Sequence, residues 1–140
     1  MTPTIRVVAA VIAQDGRYLV TQRRPTAVLP LLWEFPGGKV EAGESDLEAL
    51  KREIRHRVGV EVEPGALIST DLHAYEHYSV ELHLYDCRIT QGELQAVNVH
   101  QFRWVESQDF DELPFTPADE ISMTKLLGLA TTTESGSART

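Results

Sequence analysis

The sequence predicts an α+β fold, a mixed α/β sandwich, on three observations. Two apolar segments flank Asp15-Gly16 near the start, which is a hairpin signal. An amphipathic helix follows a glycine-rich loop at 46–58. Further strand-like runs and a second helical pattern fill the later half, an order that suits helices packed on a sheet.

In chain order, IRVVAAVIA (Ile5–Ala13) and RYLVTQR (Arg17–Arg23) are the strands of the hairpin. PTAVLPLL (Pro25–Leu32) is a proline-marked loop. WEFPGGKVEAGES (Trp33–Ser45) reads as a short strand and then a glycine-rich loop. The first helix is expected from Asp46 to Val58. Ser45 and Glu48 form an S-x-x-E capping box at its start, and Gly59 is placed to end it. ALIST (Ala66–Thr70), HYSVELHLYDCRI (His77–Ile89) and HQFRWV (His100–Val105) read as strands. PADEISMTKLLGL (Pro117–Leu129) reads as a second helix with Asp119 near its start. Residues 1–130 are expected to form a single domain. The small, polar 131–140 segment is expected to be a disordered tail.

Composition narrows the function. The chain has 140 residues, 42% hydrophobic, enough for one core. A net charge of −8 argues against a nucleic-acid polymer or an anionic membrane as partner, since both require a basic face. Small anionic substrates need only a local cluster of Arg or Lys. Cys87 is the sole cysteine, so no internal disulfide forms and a reducing compartment is expected. The first apolar run lacks a basic segment before it and is too short to span a bilayer. These features point to the cytoplasm.

On the first helix, a period of 100° per residue places Leu47, Leu50, Ile54 and Val58 on one stripe toward the core. Glu53, His56 and Arg57 share a flank, because positions three and four apart are neighbours. The glycines before the helix allow backbone to approach a ligand closely, and a helix N-terminus favours anions. On those features alone, an anion site and an ordinary loop with charged helix flanks both fit.

Gly38–Val60 resembles the Nudix box, G-x5-E-x7-R-E-U-x-E-E-x-G-U, where U is aliphatic. Gly38, Glu44, Arg52, Glu53, Ile54, Gly59 and Val60 match at the correct spacing. LWEFPGGKVEAGES, ELQAVNVHQFRWV and LPFTPADE are similar to the flanking segments of MutT-like and CTP-type nucleotide pyrophosphohydrolases. The resemblance implies the Nudix fold, an α/β/α sandwich with a mixed β-sheet. It also implies hydrolysis of a nucleoside di- or triphosphate, in the MutT-like group a triphosphate to monophosphate and pyrophosphate. Mg²⁺ or Mn²⁺ would neutralise the phosphates and activate water, held by converging carboxylates. Carried over position by position, Glu53 is the candidate catalytic and metal-binding glutamate, and Arg52 the arginine that orients it. Gly38, through its carbonyl, and Glu44 complete the candidate metal ligands. Arg23 is a candidate phosphate ligand. Glu34, Phe35 and Asp119 are candidates for reading the base.

The box departs from the family pattern at one place. His56 and Arg57 stand where two acids are expected, so the box is degenerate. A further glutamate expected near AVNVHQ is also missing, its place falling on Asn98 or Val99. Two negative charges become one positive. At an effective dielectric of about 20, a unit charge at ~4 Å is worth about 4 kcal/mol before screening. The sign is unfavourable for Mg²⁺ or Mn²⁺, which would be held weakly or not at all. Arg57 is a candidate phosphate ligand in place of a cation. His56 is a candidate general base or soft-metal ligand, and a solvated flank in a decayed site is the alternative for both. Three readings stay open: a nucleotide pyrophosphohydrolase with altered metal use, an inactive domain that binds a nucleotide, and a nucleotide-sugar hydrolase. The resemblance implies a small nucleotide as substrate, and a monomer or homodimer is expected.

Overall fold

The computed structural model describes residues 3–122 and 126. Strands β1 (Thr4–Gln14), β2 (Arg17–Gln22), β3 (Trp33–Glu34) and β4 (Gly37–Lys39) precede helix α1 (Asp46–Val58). Strands β5 (Glu61–Ala74), β6 (Ser79–Gln91) and β7 (Gln101–Val105) follow, then a 3₁₀ helix at Ser107–Glu112. Residues 117–122 are helical. The rest of the second helix expected over Pro117–Leu129, and the expected tail 131–140, lie outside the described residues apart from residue 126.

The sheet is mixed. β1 runs parallel to β6 and antiparallel to β4, and β5 closes the edge antiparallel to β6. The end of β1 turns at Asp15-Gly16 into β2, which pairs with β3 and with β7. β1 is buried on both faces, which is why it reads as an unbroken apolar run rather than an alternation. Val8, Ala10 and Ile12 pack with α1 residues Ala49, Leu50, Ile54 and Val58. Ala9 and Val11 pack on the opposite side with Trp33, Phe35, Phe110 and Phe115. The sheet therefore has helical cover on both sides, and the expected α+β sandwich is the observed one.

α1 begins and ends where the sequence indicates. Ser45 Oγ accepts from Glu48 N–H at 3.1 Å, and the Glu48 carboxylate accepts from Ser45 N–H at 2.9 Å. Gly59 adopts φ 75°, a left-handed conformation open to glycine, and its N–H returns to the Arg55 carbonyl. Asp46 anchors the first turn to the sheet. It accepts from Arg6 at 2.7 and 3.0 Å and from the Tyr85 hydroxyl at 2.7 Å.

Three expectations are corrected. Leu47 is 45% exposed, and Ala49 takes the fourth place on the buried stripe, because the buried face is turned toward the Ala49 and Glu53 side of Leu50. The strand expected over 66–70 extends across Glu61–Ala74, Pro64 being accommodated at a register shift. Gly37-Gly38-Lys39 is a strand rather than loop. A Cβ at Gly37 would collide with the Val8 carbonyl, so glycine is what lets this segment pair so closely with β1. Among the described residues, no helix is long and apolar enough to cross a membrane.

Candidate active site

A cavity of about 480 Å³ opens between β4, the buried flank of α1, the loop after β2 and the helical segment at 117–122. Its charged lining includes Arg23, Glu34, Lys39, Glu53, Arg57 and Asp119, and Tyr75 and Tyr78 add two aromatic rings.

Glu53 is the buried acid of α1, 7% exposed. It lies against β4, and a Cβ at Gly38 would sit 2.5 and 2.6 Å from its two oxygens. The absence of a side chain at Gly38 is therefore what makes room for the carboxylate. Arg52 donates to Glu53 at 2.9 Å, to Glu44 at 2.6 and 3.0 Å, and to the Lys39 carbonyl at 2.9 Å. This arginine ties box loop, strand and helix together. The Arg52 guanidinium holds the Glu44 carboxyl below its ordinary range, with help from the Glu41 N–H.

Arg57, one turn further on, donates from Nε to the other oxygen of Glu53 at 2.9 Å. Its NH1 lies 3.9 Å from Glu34. Arg23 donates to both Glu34 oxygens at 3.2 and 3.3 Å and to the Val28 carbonyl at 2.7 Å. The outcome is a ladder of alternating sign: Glu44, Arg52, Glu53, Arg57, Glu34, Arg23. Burial pushes the Glu34 carboxyl up against the opposing pull of Arg23 and Arg57.

Asp119 is buried at the start of the helical segment. It accepts from the Phe35 N–H at 3.0 Å and from the Thr116 hydroxyl at 2.6 Å. Burial, and then the charge of Glu34, push its carboxyl up to about 7. The Phe35 ring belongs to the core, packed edge-on to Phe110 with centroids 6.1 Å apart. Tyr75 and Tyr78 stack at 5.1 Å and 22°. The Tyr75 hydroxyl accepts from the Ala118 N–H at 3.3 Å, so the stack is fixed to the same segment as Asp119.

Arg23, Glu34, Phe35, Gly38, Glu53, Arg57 and Asp119 thus share one cavity. Arg52 and Glu44 brace it from behind. His56 is not brought in. It is exposed, and its carbonyl accepts from the Asn98 side-chain amide at 2.8 Å. The 93–98 loop docks there on the end of α1. Val97 and Asn98 N–H both donate to the Arg57 carbonyl at 3.1 Å, and Gln95 N–H to that of Val58 at 3.0 Å. Asn98 is thus spent on capping, and Val99 is buried in the core, so neither supplies a carboxylate. From the sequence, Tyr75 and Tyr78 could stack on a base or belong to the sheet surface or core; both line the cavity.

The family pattern described as a NUDIX domain matches residues 7–125. The chain belongs to the Nudix family. It is 36% identical over 115 residues to the CTP pyrophosphohydrolase of Escherichia coli K12, covering 82% of this chain and 85% of that protein. It is 31% identical over 124 residues to an 8-oxo-dGTP diphosphatase of Haemophilus influenzae, covering 88% and 91%. The solution structure of the E. coli ORF135 protein superposes with a TM-score of 0.79 at 32% identity, covering 92% of each chain. A MutT protein from Methanosarcina mazei Go1 reaches 0.81 at 21% identity, which speaks to the fold.

Nudix hydrolases generally use divalent metal ions. The donors of this Nudix site do not fit a metal cluster. Arg57 stands where the family pattern has an acid, and its guanidinium already engages one oxygen of Glu53, so a carboxylate is lost there and the remaining one is paired with a cation. Among the described residues no group of three His, Cys, Asp or Glu is arranged to hold a metal.

Proposed function

We propose that this Nudix protein is a MutT-like pyrophosphohydrolase that converts a nucleoside triphosphate to its monophosphate and pyrophosphate. The carrying observation is the single cavity that holds the box glutamate Glu53, two arginines and the buried Asp119. Its volume, about 480 Å³, falls in the range of small-ligand pockets, ~300–1,000 Å³. The relatives named above, whose names state nucleotide pyrophosphate hydrolysis, support the reading.

The phosphates lie along Arg57, Arg23 and Lys39. The base lies toward the tyrosine stack, with Asp119 and Glu34 at its polar edge. Near neutral pH Asp119 exchanges between donor and acceptor, so it suits a base edge that presents either. In the reaction a water oxygen bonds to one phosphorus, the bridging P–O bond breaks, and the water proton passes to Glu53 as general base. Arg52 positions Glu53, and Arg57 and Arg23 face the charge that builds on the phosphate oxygen of the bond that breaks. A nucleotide-binding domain without turnover is the second reading, favoured by the engagement of both Glu53 oxygens.

The test is a panel that includes CTP, dCTP and 8-oxo-dGTP, each with Mg²⁺, Mn²⁺ or EDTA, read for pyrophosphate release and for thermal shift. Release of pyrophosphate supports the hydrolase. A thermal shift without release selects the binding domain, and neither signal rejects both.

A further inference from the structure

We propose that the Arg57 guanidinium takes the place of the divalent cation at this site, so that the protein binds the polyphosphate of its nucleotide without metal. The proposal rests on the nucleotide reading above and adds to it the means by which the phosphates are held.

Three observations carry it. The first is position. Arg57 lies between two carboxylates of the cavity, with Nε 2.9 Å from Glu53, the candidate metal-binding glutamate, and NH1 3.9 Å from Glu34. The second is spare donor capacity. A guanidinium has five N–H donors. Among the described residues Arg57 spends one in a hydrogen bond, and NH1 is beyond hydrogen-bond reach of Glu34. Its side chain is 26% exposed and lines the cavity, so the remaining donors are available to a ligand. The third is preparation. The backbone of residue 57 is clamped by the 93–98 loop through two N–H donors to its carbonyl. Those bonds also satisfy the helix end, where a free carbonyl would repel phosphate. Arg57 is thus held at the cavity wall by Glu53 and by the loop.

The cations of the cavity are shared with its carboxylates, so the phosphates must displace a carboxylate to bind. Arg23, Lys39 and Arg57 line the cavity against Glu34, Glu41, Glu53 and Asp119. An incoming polyphosphate competes with Glu34 for Arg57 and Arg23, and a planar guanidinium meets two phosphate oxygens at once. A lysine at this position would supply the charge without the fork.

The experiment is calorimetric titration of CTP and of inorganic tripolyphosphate, each in EDTA and in Mg²⁺, against the parent, Arg57→Ala, Arg57→Lys and Arg57→Glu. Circular dichroism and melting confirm that each variant is folded. The expected result is parent binding in EDTA within about threefold of that in Mg²⁺, an Arg57→Ala loss of about tenfold or more in both, and partial retention by Arg57→Lys. Arg57→Glu should bind only when Mg²⁺ is present. Parent binding that requires Mg²⁺, or Arg57→Ala binding equal to the parent, overturns the proposal while leaving the nucleotide reading intact. Tripolyphosphate bound in EDTA with no affinity for CTP supports Arg57 and removes the nucleotide reading. Binding of neither probe in any condition overturns both.

Discussion

Asp119→Asn should make this protein more stable in alkaline than in acidic solution, relative to the parent. The parent carboxyl titrates near 7 in the fold against an ordinary value of 3.8, because burial and the neighbouring Glu34 disfavour its charge. Between those values the folded state keeps a proton that the unfolded chain has lost. Parental stability from this group is therefore full below about 3.8, falls as pH rises, and levels off above about 7. Asparagine carries no charge to desolvate. Its Oδ1 can accept from Phe35 N–H as Asp119 does now, and its amide can donate to the Thr116 hydroxyl oxygen. The advantage of the variant should then grow by about 1.4 kcal/mol per pH unit where the slope is full, roughly 2 kcal/mol from about pH 5 to pH 7, and little beyond. Glu34 is pushed up chiefly by its own burial, which the substitution leaves in place in both proteins. Carboxyls held down by cations, Asp46, Glu44 and Glu61, lose stability in acid in both proteins and cancel in the difference. Urea denaturation followed by tryptophan fluorescence at several pH values measures it. A difference that stays flat across this range would refute the reasoning. Asp119→Ala, which abandons both hydrogen bonds, should lie below Asp119→Asn at every pH.

Other expectations follow from the same geometry. Gly38→Ala should displace the Glu53 carboxylate from Arg52 and Arg57, costing about 2 kcal/mol of stability by melting and most of the turnover; a variant that hydrolyses nucleotide like the parent would show that the carboxylate is not needed where it lies. Ser45→Ala removes the α1 cap and should cost ~1 kcal/mol with the affinity for nucleotide unchanged, checked by urea denaturation and calorimetry. His56→Glu with Arg57→Glu should create Mg²⁺ or Mn²⁺ binding detectable by calorimetry. Most of the gain should come from position 57, since position 56 is exposed and outside the cavity; an equal gain from His56→Glu alone would contradict that placement.

Features that depend on the local chain were legible in the sequence. The S-x-x-E cap and the closing Gly59 follow from residue type and spacing, and each is observed. The place of Gly38 beside Glu53 came through the family pattern, and the structure supplies its reason. Features set by long-range packing were not legible. On a helix of 3.6 residues per turn, His56 and Arg57 fall about 60° and 40° to either side of Glu53. The wheel treats them almost alike. What separates them is the 93–98 loop, which docks on the end of α1 from one side. Nothing in the helix sequence announces that. The pairing of Arg23 with Glu34 likewise needs the β2–β3 register, Gln22 opposite Trp33, which places the two side by side.

This separation bears on whether the box has decayed. Loss of a metal site leaves positions free to drift to solvated residues, and His56 fits that description: exposed, outside the cavity, its carbonyl serving a loop contact. Arg57 does not fit it. A drifting arginine keeps its head in water, where an ion pair contributes little. Arg57 instead puts its guanidinium into the cavity wall, bonds the buried Glu53 and approaches Glu34. Leaving Glu53 buried with one partner would carry the larger penalty of an under-compensated charge. The same mutation that removes a metal-binding acid therefore also supplies the cation that the remaining acid needs. The two halves of the altered pair have different standing: position 56 is surface, and position 57 lines the cavity.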